Sequence, residues 1–293
     1  MKVLVVLGQE EEAYTQTAQA IRAHLAARRR TDIEVDIRPL NNFQAAETYT
    51  STPTLIVTVG ADAARRVALL NPTAPILHTL LPRETAIEIL RAGRGDKPTT
   101  LRDSAIFLDQ PIGRQFDLLR LALPSHKRVA VILGPATRHR EAELRAAARE
   151  RSLTLNTVTL NRREELLPAL EKLLDENDIL LSTAEPLAYN SETIHHVLLT
   201  TYRYKIPVMG LSKTYVDAGA LLAIYSTPEQ IGHQAAQLLS SPPVGKAVSL
   251  PAPSYPKYFM ISVNRRVASA LDLSLDSENA LQHKLEALPQ PKQ

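Results

Sequence analysis

Residues 54–70 read Thr-Leu-Ile-Val-Thr-Val-Gly-Ala-Asp-Ala-Ala-Arg-Arg-Val-Ala-Leu-Leu, and this stretch decides the fold class of the 293-residue chain. Its first six residues are mostly apolar and β-branched, which predicts a buried strand, Thr54 to Val59. Gly60 ends that strand, and Ala61 to Leu70 has the periodicity of a helix. A strand that passes through one glycine into a helix is typical of a parallel sheet covered by helices.

Similar strand–helix units lie on both sides of this stretch. Short apolar runs alternate with amphipathic segments, which predicts parallel strands joined by right-handed crossovers. The pattern starts afresh after residue 110, so we expect two successive α/β halves without a sequence repeat between them. The other predicted strands are Lys2 to Leu7, Ile33 to Leu40, Pro75 to Leu80, Ser104 to Leu108, Arg128 to Leu133, Leu153 to Leu160, Ile179 to Ser182 and Pro207 to Leu211.

The last part of the chain adds a strand, Ala220 to Tyr225, a helix, Pro228 to Leu239, and a late strand, Phe259 to Val263. Because this unit follows two complete halves, we expect the chain to re-enter the first lobe there. The polar tail is expected to be a loosely attached helix or disordered. The predicted N-terminal lobe is 1–110 plus 221–252, the predicted C-terminal lobe is 111–220 plus 253–275, and the tail is 276–293.

Composition and missing motifs exclude several classes of protein. The net charge is +3, and the one basic run, Arg28-Arg29-Arg30, ends a predicted helix, where cations complement the helix dipole, so we expect no nucleic-acid partner. The absence of cysteine excludes disulfides and thiolate chemistry. The sequence contains no P-loop, dinucleotide-binding glycine motif, nucleophile elbow or paired zinc-binding histidines. We therefore predict no catalytic residue, no metal site and no cofactor.

Ligands of doubly wound sheets bind outside the carboxyl ends of the strands, so polar residues that follow predicted strands are candidate contacts. Backbone N–H groups at a helix start suit a carboxylate, acidic side chains suit an ammonium, and tyrosines offer an apolar wall with a polar tip. This mixture predicts an amino acid or a related zwitterion. The candidates are Gln9, Gly60, Ala61, Asp62, Thr79, Asp109, Gln110, Thr183, Glu185, Tyr189, Asn190, Ser212 and Tyr215.

Each candidate also has a purely structural interpretation. Gly60 suits a tight turn, Asp62 an early-turn acid and Asn190 an ordinary helix cap, while Tyr189 and Tyr215 suit a core or its rim. No single candidate is strong evidence for a ligand site. Their common position at the carboxyl ends of the predicted strands favours one.

The segment Pro207 to Ser226, Pro-Val-Met-Gly-Leu-Ser-Lys-Thr-Tyr-Val-Asp-Ala-Gly-Ala-Leu-Leu-Ala-Ile-Tyr-Ser, resembles a hallmark of ABC transporter substrate-binding proteins of the tryptophan/tyrosine type. The segment Ile261 to Leu271 is similar to the C-terminal segment of the same family. The resemblance covers most of residues 1–275 and is most specific in the last third. Two positions depart from the usual pattern: Gly60-Ala61-Asp62 replaces Gly-Thr-Pro or Gly-Ser-Pro, and Glu185 replaces Asp.

The resemblance implies a type I periplasmic-binding fold, with two Rossmann-like lobes, three crossover strands and a ligand cleft between the lobes. The crossings are expected near Pro111, near Ala220 and near Pro251–Ser254. Members of the family are exported, often as lipoproteins, and pass their ligand to a membrane permease; several bind aromatic amino acids. A third departure is the run of three glutamates after Gln9. These changes weaken the expectation of an aromatic amino acid, because an extra acid such as Asp62 at a helix start would repel the carboxylate of the ligand.

We therefore expect an extracytoplasmic solute-binding protein, monomeric and not an enzyme, that closes over a small polar molecule and serves an ABC permease. Since the first predicted strand begins at Lys2, we expect a periplasmic or membrane-anchored protein whose signal segment is absent from this sequence, or else a cytoplasmic one. The alternatives are a periplasmic ligand sensor or adaptor with the same fold, and a cytoplasmic α/β enzyme.

Overall fold

The computed structural model describes residues 1–28, 32–43, 53–92, 103–240 and 249–289. Arg29 and Arg30 of the basic run lie outside these residues. The chain forms two compact units, which we call unit 1 (Met1–Asp109 with Ser226–Phe259) and unit 2 (Gln110–Tyr225 with Met260–Gln293). The chain therefore passes from one unit to the other three times.

Unit 1 contains a five-stranded, fully parallel sheet in the order β2-β1-β3-β4-β5. Each predicted strand of the first half is confirmed, with ends that shift by one residue at most. Every residue of β3 is buried, as expected for a strand covered on both faces. The strands, numbered along the whole chain, are β1 (Lys2–Leu7), β2 (Glu34–Pro39), β3 (Leu55–Val59), β4 (Ile76–Leu81) and β5 (Ser104–Phe107).

Helices cover this sheet, and two of them form a packed pair. The core joins Ile21 and Leu25 of the first helix to Ile231 and Ala235 of the last, all buried against β1 and β3. The helices described in unit 1 are α1 (Glu12–Ala27), α2 (Ala61–Leu69), α3 (Arg83–Ala92) and α9 (Pro228–Leu239).

Unit 2 contains a six-stranded sheet in the order β11-β10-β9-β8-β6-β7, parallel except for the edge strand β11. Its strands are β6 (Arg128–Leu133), β7 (Thr154–Thr159), β8 (Ile179–Leu181), β9 (Val208–Gly210), β10 (Leu222–Tyr225) and β11 (Met260–Val263). Its helices are α4 (Ile112–Ala122), α5 (Glu141–Arg149), α6 (Leu166–Leu174), α7 (Ile194–Arg203), α8 (Lys213–Ala218), α10 (Arg265–Ala270) and α11 (Glu278–Glu286).

The two sheets share one strand order. The order β7-β6-β8-β9-β10 of unit 2 repeats the order β2-β1-β3-β4-β5 of unit 1. In such a sheet the direction of winding reverses between the first and third strands, which opens a crevice at their carboxyl ends. Each unit therefore has one such switch point, between β1 and β3 in unit 1 and between β6 and β8 in unit 2.

The structure moves the first expected lobe boundary by one residue, which places Gln110 in unit 2, and moves the other two further. The strand expected in the first lobe, β10, pairs with β9 and β11, so it belongs to unit 2. Conversely, residues 253–259 lie in unit 1, because Ser254 bridges to Ile106 and its carbonyl accepts the Phe107 N–H. The passages therefore fall at Asp109/Gln110, Tyr225/Ser226 and Phe259/Met260.

The sequence predicts a tail that is a loosely attached helix or disordered; residues 278–286 do form a helix, but the prediction of loose attachment is wrong. Helix α11 begins at the cap Ser277, whose hydroxyl accepts the Ala280 N–H, and Leu281 and Leu285 are buried. The Glu278 carboxylate accepts the N–H of Val263 in β11. The two leucines lie one turn apart on the same helix face, so this helix is part of the packed core of unit 2.

Candidate functional site

The switch point of unit 1 is built by the loops that follow β1 and β3. The Gly8 N–H donates to the Val59 carbonyl at 2.9 Å, and the Gly60 N–H donates to the Thr79 carbonyl at 3.0 Å. Gly60 has a φ of +89°, in a region that side chains rarely adopt, and this conformation turns the chain directly into α2. The predicted candidates Gly60 and Ala61 thus stand at the first turn of a helix.

Tyr14 covers this turn, and the sequence analysis missed it. Three atoms of its phenol group lie 2.7–2.8 Å from the place where a Cβ on Gly60 would stand. The side chain is half-buried, and burial raises the pKa of the Tyr14 hydroxyl, with further contributions from the charges of Glu11 and Asp62. The sequence contains only an indirect indication of this contact, since Tyr14 lies in the first turn of α1 and not directly after a strand.

The outer edge of the unit 1 site is exposed and acidic. Gln9 Nε2 donates to Asp62 Oδ2 at 3.1 Å, which links the loop after β1 to the start of α2. The three glutamates that follow Gln9 are all exposed, as is Asp62. This edge therefore offers carboxylate oxygens to solvent beside the half-buried phenol of Tyr14.

Two other candidates of unit 1 act within the protein. Thr79 is fully buried, and its hydroxyl donates to the Thr58 carbonyl at 2.9 Å. Asp109 Oδ2 accepts the N–H of Arg83, the first residue of α3, at 2.5 Å, so it holds the end of β5 to a helix start. Both side chains support the strand ends from within unit 1.

The switch point of unit 2 is closed by a buried carboxylate. Glu185 is only 1% exposed, and it accepts hydrogen bonds from the Ala136 N–H (3.2 Å), the Thr137 hydroxyl (2.9 Å) and the Leu187 N–H (3.2 Å). A Cβ on Gly134 would lie 2.5 Å from the Glu185 Cδ. Glu185 therefore links the loop after β6 to the loop after β8 by hydrogen bonds. Its position in the sequence after a predicted strand did not indicate this structural role.

The remaining polar candidates after β8 are also bonded within unit 2. The Thr183 hydroxyl donates to the Ile132 carbonyl at 2.9 Å. Asn190 Oδ1 accepts the N–H groups of Glu192 (2.8 Å) and Thr193 (3.1 Å), so Asn190 closes the turn before α7, whose own N-cap residue is Thr193.

The two tyrosine candidates differ in burial. Tyr189 is 7% exposed and belongs to the core of unit 2, where burial raises the pKa of its hydroxyl well above the usual range. Tyr215 is half-buried beside that core, and its hydroxyl lies 3.5 Å from the Tyr189 carbonyl, at the limit of a hydrogen bond. Of the two rings, the one of Tyr215 is the more accessible to a ligand.

The last two candidates follow β9 and the first passage of the chain. Ser212 is partly exposed at the start of α8, in extended backbone, and its side chain makes no capping bond. Gln110 is 4% exposed; its Oε1 accepts from Arg114 Nη1 at 2.7 Å, and its carbonyl accepts from Gln115 Nε2 at 2.9 Å. Burial lowers the pKa of Arg114 to about 10.

The thirteen candidates thus form two groups. Exposed or half-exposed side chains that can meet a ligand are Gln9, Asp62, Ser212 and Tyr215, joined by Tyr14. Gly60 and Ala61 form a backbone turn. The other side chains are bonded or packed within their own unit, and of these Thr79, Gln110, Glu185 and Tyr189 are buried, whereas Asp109, Thr183 and Asn190 are partly exposed. All lie at the carboxyl ends of strands or at the helix starts that follow, separately in unit 1 and in unit 2.

Two doubly wound units with three chain passages and a polar switch point in each define the class of type I periplasmic-binding proteins. The model of the family described as ABC transporter substrate binding protein matches residues 99–284. The chain belongs to this family. Both the family and the fold are those of solute-binding proteins and not of enzymes.

Solved structures share this fold. A ligand-free, open substrate-binding protein with adhesive properties from Clostridium difficile is 18% identical, with a TM-score of 0.71 over 94% of this chain and 96% of that chain. An ABC domain from Streptococcus pneumoniae in complex with L-Trp is 14% identical, with a TM-score of 0.61 over 96% and 97%. A conserved domain protein from Vibrio cholerae is 19% identical, with a TM-score of 0.61 over 96% and 97%. No curated protein sequence matches the chain.

Among the described residues, none of the helices has the length and apolar character needed to cross a bilayer.

Proposed function

We propose that this protein is the extracytoplasmic solute-binding component of an ABC importer and that it binds a small zwitterion such as an amino acid. The observation that carries the proposal is the repeated strand order, which gives each unit a switch point lined by polar side chains. Family membership supports the transport role, and the L-Trp complex of the Streptococcus pneumoniae domain supports the ligand class. We expect a membrane permease as the partner.

The charges at the two switch points suggest how a zwitterion is oriented. The exposed edge of unit 1 carries Asp62 and the glutamates after Gln9, beside the phenol of Tyr14. Carboxylates and an aromatic ring attract an ammonium group. In unit 2 the loop after β6 continues into Arg138 and His139. Both side chains are exposed, and both can donate hydrogen bonds to a carboxylate. The ligand would therefore present its ammonium to unit 1 and its carboxylate to unit 2.

Binding to both units is what would couple the ligand to closure. A ligand shifts a conformational equilibrium only by the difference in its affinity for the two states. Moving from about 1% to about 99% closed requires roughly 5.5 kcal/mol of differential affinity. A few charge-assisted hydrogen bonds made only when both units engage the ligand have this magnitude.

The first experiment is native mass spectrometry of the purified protein to find a co-purified small molecule, followed by thermal-shift screening of amino acids and of matched compounds that lack the ammonium or the carboxylate. We expect stabilisation by zwitterions and none by either matched set. Stabilisation only by neutral sugars would contradict the ligand class, and a receptor domain as the partner would favour a sensor.

The variant Asp62→Asn tests the unit 1 contact. Removing one charge from the exposed edge should weaken binding of an ammonium-bearing ligand by about tenfold, because a charge-assisted bond is worth roughly 1.5 kcal/mol. Glu34→Gln is the matched control, since Glu34 is an exposed acid at the start of β2, at the opposite end of the same sheet. Equal affinities of the two variants, measured by calorimetry, would remove Asp62 from the site.

A further inference from the structure

Two histidines of unit 1 stack on each other where α1 and α9 pack. The ring centroids of His24 and His233 are 4.2 Å apart, with the ring planes tilted by 36°. The two helices are also joined by the Thr17 hydroxyl, which lies 3.2 Å from the Pro228 carbonyl, and by the buried core beneath them. The pair is not among the candidate ligand contacts and lies on the helix pair, not at the strand ends.

Gln237 connects the His233 ring to Tyr258. Gln237 Nε2 lies 3.2 Å from His233 Nε2 and donates to the Tyr258 hydroxyl at 2.7 Å. An amide nitrogen only donates, so a hydrogen bond between these two atoms requires a His233 Nε2 that carries no hydrogen. Its ring also stacks on the Tyr258 ring at 5.0 Å, with an interplanar angle of 23°. A proton on His233 Nε2 would break the contact with Gln237.

A proton on His24 would be equally unfavourable. His24 Nε2 is buried and has no hydrogen-bond partner among the described residues. The pKa of His24 is lowered, first by burial, then by the proximity of His233, then by Arg28 at the end of α1. Among the other charged groups nearby, Lys257 Nζ lies 5.8 Å from the Tyr258 ring centroid, and exposed Glu229 lies one helical turn before His233. Neither histidine forms an ion pair with a carboxylate in the described part of the chain.

The histidine pair is connected to the segment 255–259, which leads to the third passage of the chain. Helix α9 holds this segment through Gln234, whose Oε1 accepts the Lys257 N–H at 2.7 Å, and through the bond from Gln237 to Tyr258. The Ser226 hydroxyl, at the second passage, donates to the Tyr258 carbonyl at 2.6 Å. Tyr258 therefore joins the histidine stack to two of the three places where the chain changes unit.

We infer that the His24–His233 stack is an acid-sensitive latch that holds α9 and residues 255–259 in unit 1 while both rings are neutral. Below the ordinary histidine pKa of about 6.5, the unfolded or opened chain takes up protons more readily than the latched one, so the stability of the latch falls as the pH falls. Above that pH its full stability is present. Acidification would loosen the segments that connect the two units without any change at the strand ends.

Hydrogen exchange with mass-spectrometric detection tests the latch at about pH 8 and about pH 5, with rates corrected for intrinsic exchange. In the unmodified protein, we expect peptides from α9 and residues 255–259 to lose protection severalfold at the lower pH. The loss should be clearly smaller in the double variant His24→Gln with His233→Gln, which removes both rings of the pair. His195→Gln is the control, because His195 is an exposed histidine of unit 2, and it should retain the full loss. Other titrating groups, including the buried His78, are present in every variant.

Unchanged protection at the two pH values in the unmodified protein would overturn the latch, as would a loss of equal size in the unmodified protein and in the double variant. If a substituted protein fails to fold, NMR titration of the unmodified protein gives the answer instead. There, the ring protons of His24 should titrate below the ordinary histidine pKa of about 6.5, and titration at or above that value would contradict the inference.

Discussion

The switch points of the two units have the same topology but are closed by different side chains. In unit 1 the phenol of Tyr14 lies over Gly60, and the acid that links the loops, Asp62, is exposed and accepts a single bond from Gln9. In unit 2 the linking acid, Glu185, is buried and accepts three bonds. The strand order brings the loops after β1 and β3, and those after β6 and β8, next to each other. The side chains in these loops then determine whether the switch point is exposed to solvent or held by internal hydrogen bonds.

This difference gives the two units different tasks in the proposed function. A carboxylate with three internal donors is already satisfied, so Glu185 rigidifies the loops of unit 2 and has little capacity left for a ligand. Asp62 retains acceptor capacity and faces solvent. We therefore expect substitutions at equivalent positions to affect stability in unit 2 and binding in unit 1.

The largest expected effect separates the two acids directly. Glu185→Gln should lower the free energy of unfolding of unit 2 by about 3 kcal/mol, because it disrupts a buried, fully bonded carboxylate. Asp62→Asn should change the stability of unit 1 by less than about 0.5 kcal/mol. Urea unfolding followed by hydrogen exchange of each unit measures both, and equal losses would erase the distinction between the switch points.

Acid should also affect the two units unequally. His78 is buried in the sheet of unit 1, its Nδ1 lies 2.8 Å from the Thr58 hydroxyl, and burial lowers its pKa to about 4. The unfolded chain binds the proton more tightly, so unit 1 should lose stability as the pH falls below about 6.5, by about 3 kcal/mol at or below about pH 4. Unit 2 has no buried histidine among its described residues.

The double variant Thr58→Val with His78→Leu supplies the control for this acid effect. Replacing both partners of a buried hydrogen bond by apolar groups of similar size costs little, and it removes the titrating ring. The stability of unit 1 should then depend much less on pH between about pH 7 and about pH 4. A pH dependence equal to that of the unmodified protein would show that other groups cause the loss.

Gly60, which is covered by Tyr14, and Gly134, which is covered by Glu185, should respond differently to substitution by alanine. Gly60→Ala should lower the free energy of unfolding by about 2 kcal/mol. Adding Tyr14→Ala in the same chain should recover only the part caused by the clash with the Tyr14 ring, because the φ of +89° remains unfavourable for alanine. Gly134 has no positive φ, so the cost of Gly134→Ala should nearly vanish when Glu185→Ala is also present. Double-mutant cycles from urea unfolding measure both, and full recovery at Gly60 would contradict the backbone argument.

The elements were predictable because their signals are local. Apolar runs and the glycine at position 60 placed the strands of unit 1 to within a residue. The sheet that β10 joins depends on pairing with β9 and β11, which no local pattern contains. The attachment of the tail escaped notice for a similar reason, since only Leu281 and Leu285 anchor an otherwise polar helix.

The candidate site was predictable as a location and less so as a list of residues. Fold topology placed the candidates at the strand ends, but whether a side chain faces a ligand or its own loop depends on contacts between distant segments. Glu185 looked like a ligand contact until its donors at Ala136 and Thr137, about fifty residues away, were visible. Tyr14 was missed because it reaches the strand end from the first turn of a helix.

The central claim is that a small molecule is bound by the open switch point of unit 1 together with that of unit 2. A crystal structure of the protein with the ligand found by native mass spectrometry tests this most directly. The account predicts ligand atoms within hydrogen-bonding distance of Asp62 or Gln9 and of groups that follow β6, β8 or β9. A ligand that contacts neither switch point, for example one seated between α2 and α3 beside Leu69 and Ile89, would contradict it.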